Sequence, residues 1–443
     1  MAESNQVVMF PFMAQGHFIP FLTLAKALAS QGLTVGFLTT TASAPKLQSQ
    51  ALGSSIRFVP LSLPPIPGLP PAYESTDVLP PLEGVLLFIY SHKLSQPFED
   101  WLLQVTAETS RKPACIISDV LLPWTAQSAS KFGIPWVVFH TTGAMAASLQ
   151  QYLFTDPVSE IIGDRQIIEI LPHMLRSEFA YLPPVLPGIQ QAYGFAKERC
   201  SATLINTFDG LEAEYVKYLE ESTDKPVWSI ASPLHKPQFG VDNESEFIRW
   251  LDTQKENSVL YISFGFQGFL SEDQTKALAR GIAASNQPFI WSIKDPVGSQ
   301  VNSCDFLPEG FIEETRDRGM VIHGWVPQLL ILSHPSTAYF LSHCGWNSTL
   351  EGISAGVPML AWPLMLDQFA KFRLGLQLCE GFDAITSSYV VENTVKTAMT
   401  AEIGKEMCLR ALQIKESINE ASCKLSVKSF VSYILSHGLD EDK

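Results

Sequence analysis

The chain has 443 residues, 46% of them hydrophobic and 17% charged, a composition that excludes a disordered or fibrous protein and allows two or three domains. Thirty Lys and Arg against 45 Asp and Glu leave a net charge of −15, so nucleic acid and anionic membranes are not expected as partners. An anionic ligand would have to be met locally, by backbone N–H groups and a few placed donors.

Short β-branched runs alternate with helical patterns along the chain. Val7–Phe10 reads as a buried strand, and Pro20–Ser30 as a helix with proline in its first turn and Gly32 past its end. Strands follow at Leu33–Thr39, Ala114–Ser118 and Ile134–Phe139, the last after a helix from Trp124 to Lys131. Between them, Pro60–Pro81 carries eight prolines and reads as a long surface loop, a length that usually serves function. Pro, Gly, Asn and Asp accumulate in Ala231–Ser245, the expected linker. The alternation then resumes with strands at Ser258–Phe264, Pro288–Ile293, Met320–His323, Tyr339–Ser342 and Met359–Trp362. This order predicts an α/β protein with two parallel-sheet halves, 1–234 and 235–424. The amphipathic end, Val427–His437, fits as the last helix of either half, and the packing of about 425–443 back on the first half is left open.

Met1–Gln6 has no basic segment ahead of the first strand, and no run of about 18 apolar residues occurs, so neither a signal peptide nor an integral membrane span is expected. The seven cysteines are scattered without a Cys-x-x-Cys pair, which predicts free thiols and a cytoplasmic protein.

Ligands of open parallel sheets bind at the carboxyl ends of the strands, so the informative residues are those just after them. No two glycines are separated by a single residue, which removes the dinucleotide fingerprint, and no phosphate loop is present. The one Asp-x-Asp, Asp440-Glu441-Asp442, lies in the tail, so no metal is expected. Gly352-Ile353-Ser354-Ala355-Gly356 matches a hydrolase elbow, but a helix precedes it and a strand follows, the reverse of the order an elbow needs.

His17 falls in the turn after the first strand and Asp119 straight after the strand Ala114–Ser118. Each has an ordinary role open to it, a loop hydrogen bond or the capping of a turn. Together they suggest a pair in which a carboxylate fixes an imidazole for work as a base on a substrate hydroxyl. The densest constellation runs from Trp325 to Gln368. Trp325 ends a strand, where an indole can stack on a planar base. His343 ends the next, and Gly345, Trp346, Asn347 and Ser348 open a helix whose free N–H groups suit a diphosphate. Glu351 reads equally as the end of a Ser-x-x-Glu capping box and as an acceptor for two ribose hydroxyls. Asp367 and Gln368 supply adjacent polar groups suited to sugar hydroxyls.

This stretch of 44 residues closely resembles the signature box of the plant secondary-product UDP-glycosyltransferases (family 1), with Trp, Pro-Gln, HCGWNS, Glu, GVP, Trp-Pro and Asp-Gln in the expected order. The resemblance extends to PFMAQGHFIP, IISDVLLPW, RWLDTQ and YISFG. It implies the GT-B fold, two facing Rossmann-like domains with a cleft between them, an N-terminal domain for the acceptor and a C-terminal one for the UDP-sugar. It implies that Trp325 stacks on uracil with Gln328 beside it, that His343, Asn347 and Ser348 hold the diphosphate, and that Glu351 binds ribose. Trp346, Asp367 and Gln368 would meet the transferred sugar, His17 would be the general base and Asp119 its partner. The implied reaction is inverting, metal-independent transfer of a sugar, by its Gln368 glucose, to a small hydroxylated metabolite such as a flavonoid. The UDP-sugar is a co-substrate, no further cofactor is implied, and a monomer is expected. Departures from the family pattern are Phe266 in place of a small hydroxyl residue, Ala338-Tyr339 in place of a smaller pair, and Lys371 near a usual Asn. Phe266 keeps open a UDP-sugar-binding protein with weak transfer, and the Gly352–Gly356 match keeps open a Ser354 esterase.

Overall fold

The computed structural model describes residues 5–50, 55–70, 73–79, 81–155, 186–231, 245–265, 268–295, 301–364, 368, 375–377, 386–418 and 420–437. Phe266, Asp367, Lys371, most of the expected linker, much of 145–193 and the acidic tail lie outside the described residues. The described residues fall into two compact units. One holds those up to residue 231 together with 420–437, and the other those from 245 to 418.

The first unit is built on seven parallel strands: β1 (Gln6–Phe10), β2 (Thr34–Thr40), β3 (Ile56–Leu61), β4 (Cys115–Asp119), β5 (Trp136–His140), β6 (Ala202–Ile205) and β7 (Val227–Ser229). Their order is β3-β2-β1-β4-β5-β6-β7. The central strands are apolar without alternation, as a sheet covered on both faces requires, and Val7, Val8, Ile116, Ile117, Val137 and Val138 are wholly buried. Helix α1 (Gln15–Ser30) buries Phe18, Phe21, Leu22, Leu24, Ala25 and Leu28 on this core. It starts five residues before Pro20, which sits inside the helix rather than opening it.

The C-terminal helix Glu420–His437 belongs to the same core through Val427, Phe430 and Ile434. Trp228 Nε1 donates to Ser429 Oγ (3.2 Å), and the Tyr433 hydroxyl donates to the Ser201 carbonyl (2.9 Å). The proline-rich segment is not one loop. Pro60 lies in edge strand β3, Thr76–Val78 forms a 3-10 turn, and a helix runs over Pro81–Tyr90. Proline is tolerated in β3 because an edge strand has one side free of partners.

The second unit carries β8 (Val259–Ser263), β9 (Phe289–Ile293), β10 (Gly319–His323), β11 (Thr337–Ser342), β12 (Met359–Ala361) and β13 (Gly375–Gln377), all parallel, in the order β10-β9-β8-β11-β12-β13. Its strands alternate between two cores. Leu260, Ile262, Trp291, Leu341 and Leu360 face one, and Val259, Tyr261, Ile290, Phe340 and Met359 face the other. Tyr339, one of the departures from the family pattern, points into the first of these. It is buried and its hydroxyl donates to the Gly404 carbonyl (2.7 Å), tying β11 to the helix Glu402–Ser417. No helix among the described residues is long and apolar enough to cross a membrane.

Candidate active site

In the first unit, β1, β4, β5 and β6 are neighbours, so the residues at their carboxyl ends gather along one edge of the sheet. β1 leads through Pro11–Ala14 into α1, which places His17 in the first helical turn and not in a free loop. His17 Nδ1 lies 2.6 Å from Asp119 Oδ2, at the end of β4. Asp119 is wholly buried, and its Oδ1 accepts the Leu121 N–H (3.0 Å), so the turn-capping role and the pairing role coexist. An ionised carboxylate can only accept, so the proton of this bond sits on Nδ1 and the imidazole keeps its Nε2 lone pair for another proton.

Thr141, directly after β5, brings Oγ1 to 3.1 Å from the same Nδ1, and Asn206 Nδ2 donates to the Thr141 carbonyl (3.2 Å). The edge of Phe12 closes on the His17 ring, with centroids 5.4 Å apart. Thr141 was missed in the sequence, although its place after a strand end carried the same signal as Asp119.

His140 ends β5 beside this group. It is buried, its Nδ1 has no hydrogen-bond partner among the described residues, and burial pushes its pKa down to about 4 against the opposing pull of Asp119. It is a neutral imidazole at pH 7. Trp124 nearby is core: it packs edge-on against Phe10 and Phe98 and donates Nε1 to Ser91 Oγ (3.2 Å).

In the second unit, Trp325 follows β10 with 72% of its surface exposed, so an indole face is free to stack. Gln328 opens the short helix Gln328–Leu332 and joins three groups. Its Nε2 donates to Glu351 Oε2 (2.5 Å) and Ser348 Oγ (3.1 Å), while its Oε1 accepts from the fully buried Tyr261 hydroxyl (3.3 Å). The helix Trp346–Ala355 has Gly345 as its N-cap, which puts Ser348 inside the first turn. Ser348 and Glu351 therefore form no capping box, and the Glu351 carboxyl turns to Gln328 instead. Burial raises the Glu351 pKa to about 7, and the Gln328 hydrogen bond offsets only part of the rise.

His343 follows β11, and its ring is packed between two glycines. A Cβ built on Gly265 would lie 2.5 Å from His343 Cε1, and one on Gly345 would lie 2.4 Å from Nε2. Gly265 also has a φ of +75°, in the left-handed region that glycine enters without strain. These glycines clear the space for the imidazole at the start of the helix, whose first turn carries Asn347. Cys344 takes a φ of 63°, the sharp bend that turns the chain from strand into helix. Trp346 is buried, Gln368 Oε1 accepts the Leu364 N–H (2.9 Å), and Asp367 lies outside the described residues. Ser354 sits in the last turn of that helix with β12 after it, so it is no nucleophile elbow. Among the described residues no group of three or more His, Cys, Asp or Glu is placed to hold a metal ion.

Comparison with known proteins adds to this geometry. Residues 238–436 match the family described as UDP-glucoronosyl and UDP-glucosyl transferase, and residues 3–236 match the glycosyltransferase N-terminal domain. UDP-glycosyltransferase 73C3 of Arabidopsis thaliana is 36% identical over 406 residues, covering 85% of this chain and 80% of its own length. The scopoletin glucosyltransferase of Nicotiana tabacum is 32% identical over 393 residues, covering 82% of this chain and 80% of its own. Phytolacca americana UGT2, solved with UDP-2-fluoro-glucose and pterostilbene, superposes with a TM-score of 0.78 at 25% identity, over 97% of this chain and 99% of that one.

Proposed function

The chain belongs to the family 1 UDP-glycosyltransferases of plant secondary metabolism, with two Rossmann-like α/β domains of the GT-B type, and from that premise we propose that it transfers glucose from UDP-glucose to a phenolic hydroxyl of a small metabolite. The observation that carries the reading is the 2.6 Å pairing of His17 with a wholly buried Asp119 at the ligand edge of the first sheet. The first unit binds the acceptor. His17 Nε2 takes the proton from its hydroxyl as the oxygen attacks the anomeric carbon in line, and Asp119 stabilises the imidazolium that forms. A single displacement on an α-linked donor gives a β-glycoside.

The second unit binds the donor. Trp325 stacks on the uracil with Gln328 beside it, and Glu351 accepts from the ribose hydroxyls. His343, Asn347 and Ser348 meet the diphosphate at the helix start, where fixed N–H dipoles stabilise the charge that develops on departing UDP without a metal ion. Trp346, Asp367 and Gln368 meet the sugar. Glucose is supported by the tobacco relative, a glucosyltransferase, and by the fluoro-glucose donor of the Phytolacca structure; scopoletin and pterostilbene, named with them, favour a flavonoid or other phenolic acceptor. Cysteines 115, 200, 304, 344 and 408, which form no disulfide, suit a cytoplasmic enzyme.

The test is a matrix of UDP-sugars against flavonoids and simple phenols, read by mass spectrometry for glycoside and by UDP release. A glucoside from UDP-glucose and at least one phenol is the expected result. A matrix that yields neither glycoside nor UDP in any combination would overturn the reading.

A further inference from the structure

We propose that Asp77 is a positioning residue for His17, and that the segment after the prolines exists to deliver it. A helix start leaves N–H groups without intrahelical partners, and a side chain at the N-cap ordinarily accepts from one of them. The N-cap of α1 is Ala14, which offers none. The missing acceptor comes from 62 residues away: Asp77 Oδ1 accepts the N–H of Gln15, the first helical residue, at 3.0 Å. His17 is two residues further on, in the same turn.

The surrounding contacts hold that carboxylate in place. Ser75 Oγ accepts the Asp77 N–H (3.2 Å), and the Thr76 N–H donates to the Met13 carbonyl (2.9 Å), in the strand-to-helix turn itself. Glu74 Oε2 accepts the Ala42 N–H (2.8 Å) after β2. Lys46, from the helix α2 (Ala44–Ser49), donates to Gln15 Oε1 (2.9 Å) and lies 4.0 Å from Asp77 Oδ2. Segment 74–77 is thus stitched to the turns after β1 and β2, and its central bond goes to the backbone that carries the imidazole. Asp119 sets the orientation of the ring, and Asp77 sets the position of the main chain beneath it. Misplacing a reacting group by about 1 Å is enough to lose roughly a hundredfold in rate.

This inference rests on His17 being the base, and the experiment separates the two. Asp77→Ala, Asp77→Asn, His17→Ala and the double variant Asp77→Ala/His17→Ala are assayed with UDP-glucose and one phenol. Asp77→Ala is expected to lower kcat about tenfold with the donor KM unchanged, while Asp77→Asn, whose amide oxygen accepts the same N–H, keeps most of the rate. The double variant should be no slower than His17→Ala alone. A wild-type kcat for Asp77→Ala, or an equal loss on the His17→Ala background, overturns the proposal and leaves the base assignment standing. A His17→Ala variant that keeps its rate overturns both. Should Asp77→Ala not fold, Gln15→Pro removes the donor instead. Proline suits the first position of a helix, and Ala14 already has the extended backbone it needs (φ −143°, ψ 143°). Under the proposal Gln15→Pro loses the same tenfold; if it keeps wild-type kcat, the tether does not position His17.

Discussion

Replacing Glu351 by glutamine separates what the binding site needs from what the fold prefers. The Glu351 carboxyl has a pKa of about 7 in the folded chain, raised by burial from an ordinary value of 4.5. Between those values the folded chain holds a proton that the unfolded chain has released, so stability falls as pH rises through that window, and the whole deficit is present above pH 7. A shift of that size corresponds to about 3 kcal/mol. Part of the residue still meets solvent, which screens the effect, so about 1–3 kcal/mol is expected. Glutamine cannot ionise, and its amide oxygen accepts the same Gln328 N–H. Glu351→Gln should therefore stabilise the second unit at pH 8.5 and change little at pH 4.5, read from urea transitions at both.

Donor binding should move the other way. Hydrogen bonds to a charged group are worth roughly 1.5–3 kcal/mol each, so the donor KM should rise about tenfold to a hundredfold. In the wild type, affinity for UDP-glucose should weaken up to about tenfold per pH unit below 7, as the carboxylate is lost; in Glu351→Gln that dependence should flatten. A variant no more stable at pH 8.5, or one with an unmoved donor KM, would refute the reasoning.

Three further outcomes follow from the same geometry. His140 is held neutral by burial with a pKa of about 4, so the unfolded chain binds the extra proton below 6.5 and about 3 kcal/mol of stability should drain away as pH falls from 6.5 to 4. His140→Gln should flatten that acid slope, and an unchanged slope counts against it. Gly265→Ala drives a methyl into the His343 ring from a left-handed backbone position, and should weaken UDP binding at least about tenfold by calorimetry, against an unchanged affinity if the ring is not needed there. Excess chelator should leave turnover intact; activity lost to chelator and restored by Mg²⁺ or Mn²⁺ would contradict diphosphate stabilisation by helix and histidine alone.

Among the strands that were legible in the sequence, β1, β4, β8 and β11 carry apolar runs buried on both faces, and each was found within two residues of its observed ends; β10, only half-buried, was legible from its own apolar run. Those that were not are short or interrupted: β6 has four residues, β7 and β13 three each, and β3 contains Pro60. Their pairing comes from neighbours in the sheet, which no local pattern announces. The start of α1 was hidden for a related reason, because its acceptor arrives from Asp77 and a local reading found only Pro20. His17 and Asp119 could be singled out because each follows a strand. The joining of Tyr261, Gln328, Ser348 and Glu351, and the seating of His343 between Gly265 and Gly345, depend on distances across the sheet edge and had no counterpart in spacing.

The central claim is tested most directly by measuring turnover and UDP affinity on the same His17→Ala protein. On the proposed reading the imidazole would touch the acceptor and not the nucleotide, and loss of a positioned general base is worth about 10²–10⁴-fold in rate. The account predicts a kcat reduced by at least a hundredfold with a UDP dissociation constant equal to that of the wild type. A variant that keeps more than about a tenth of wild-type turnover, at unchanged UDP affinity, would contradict it.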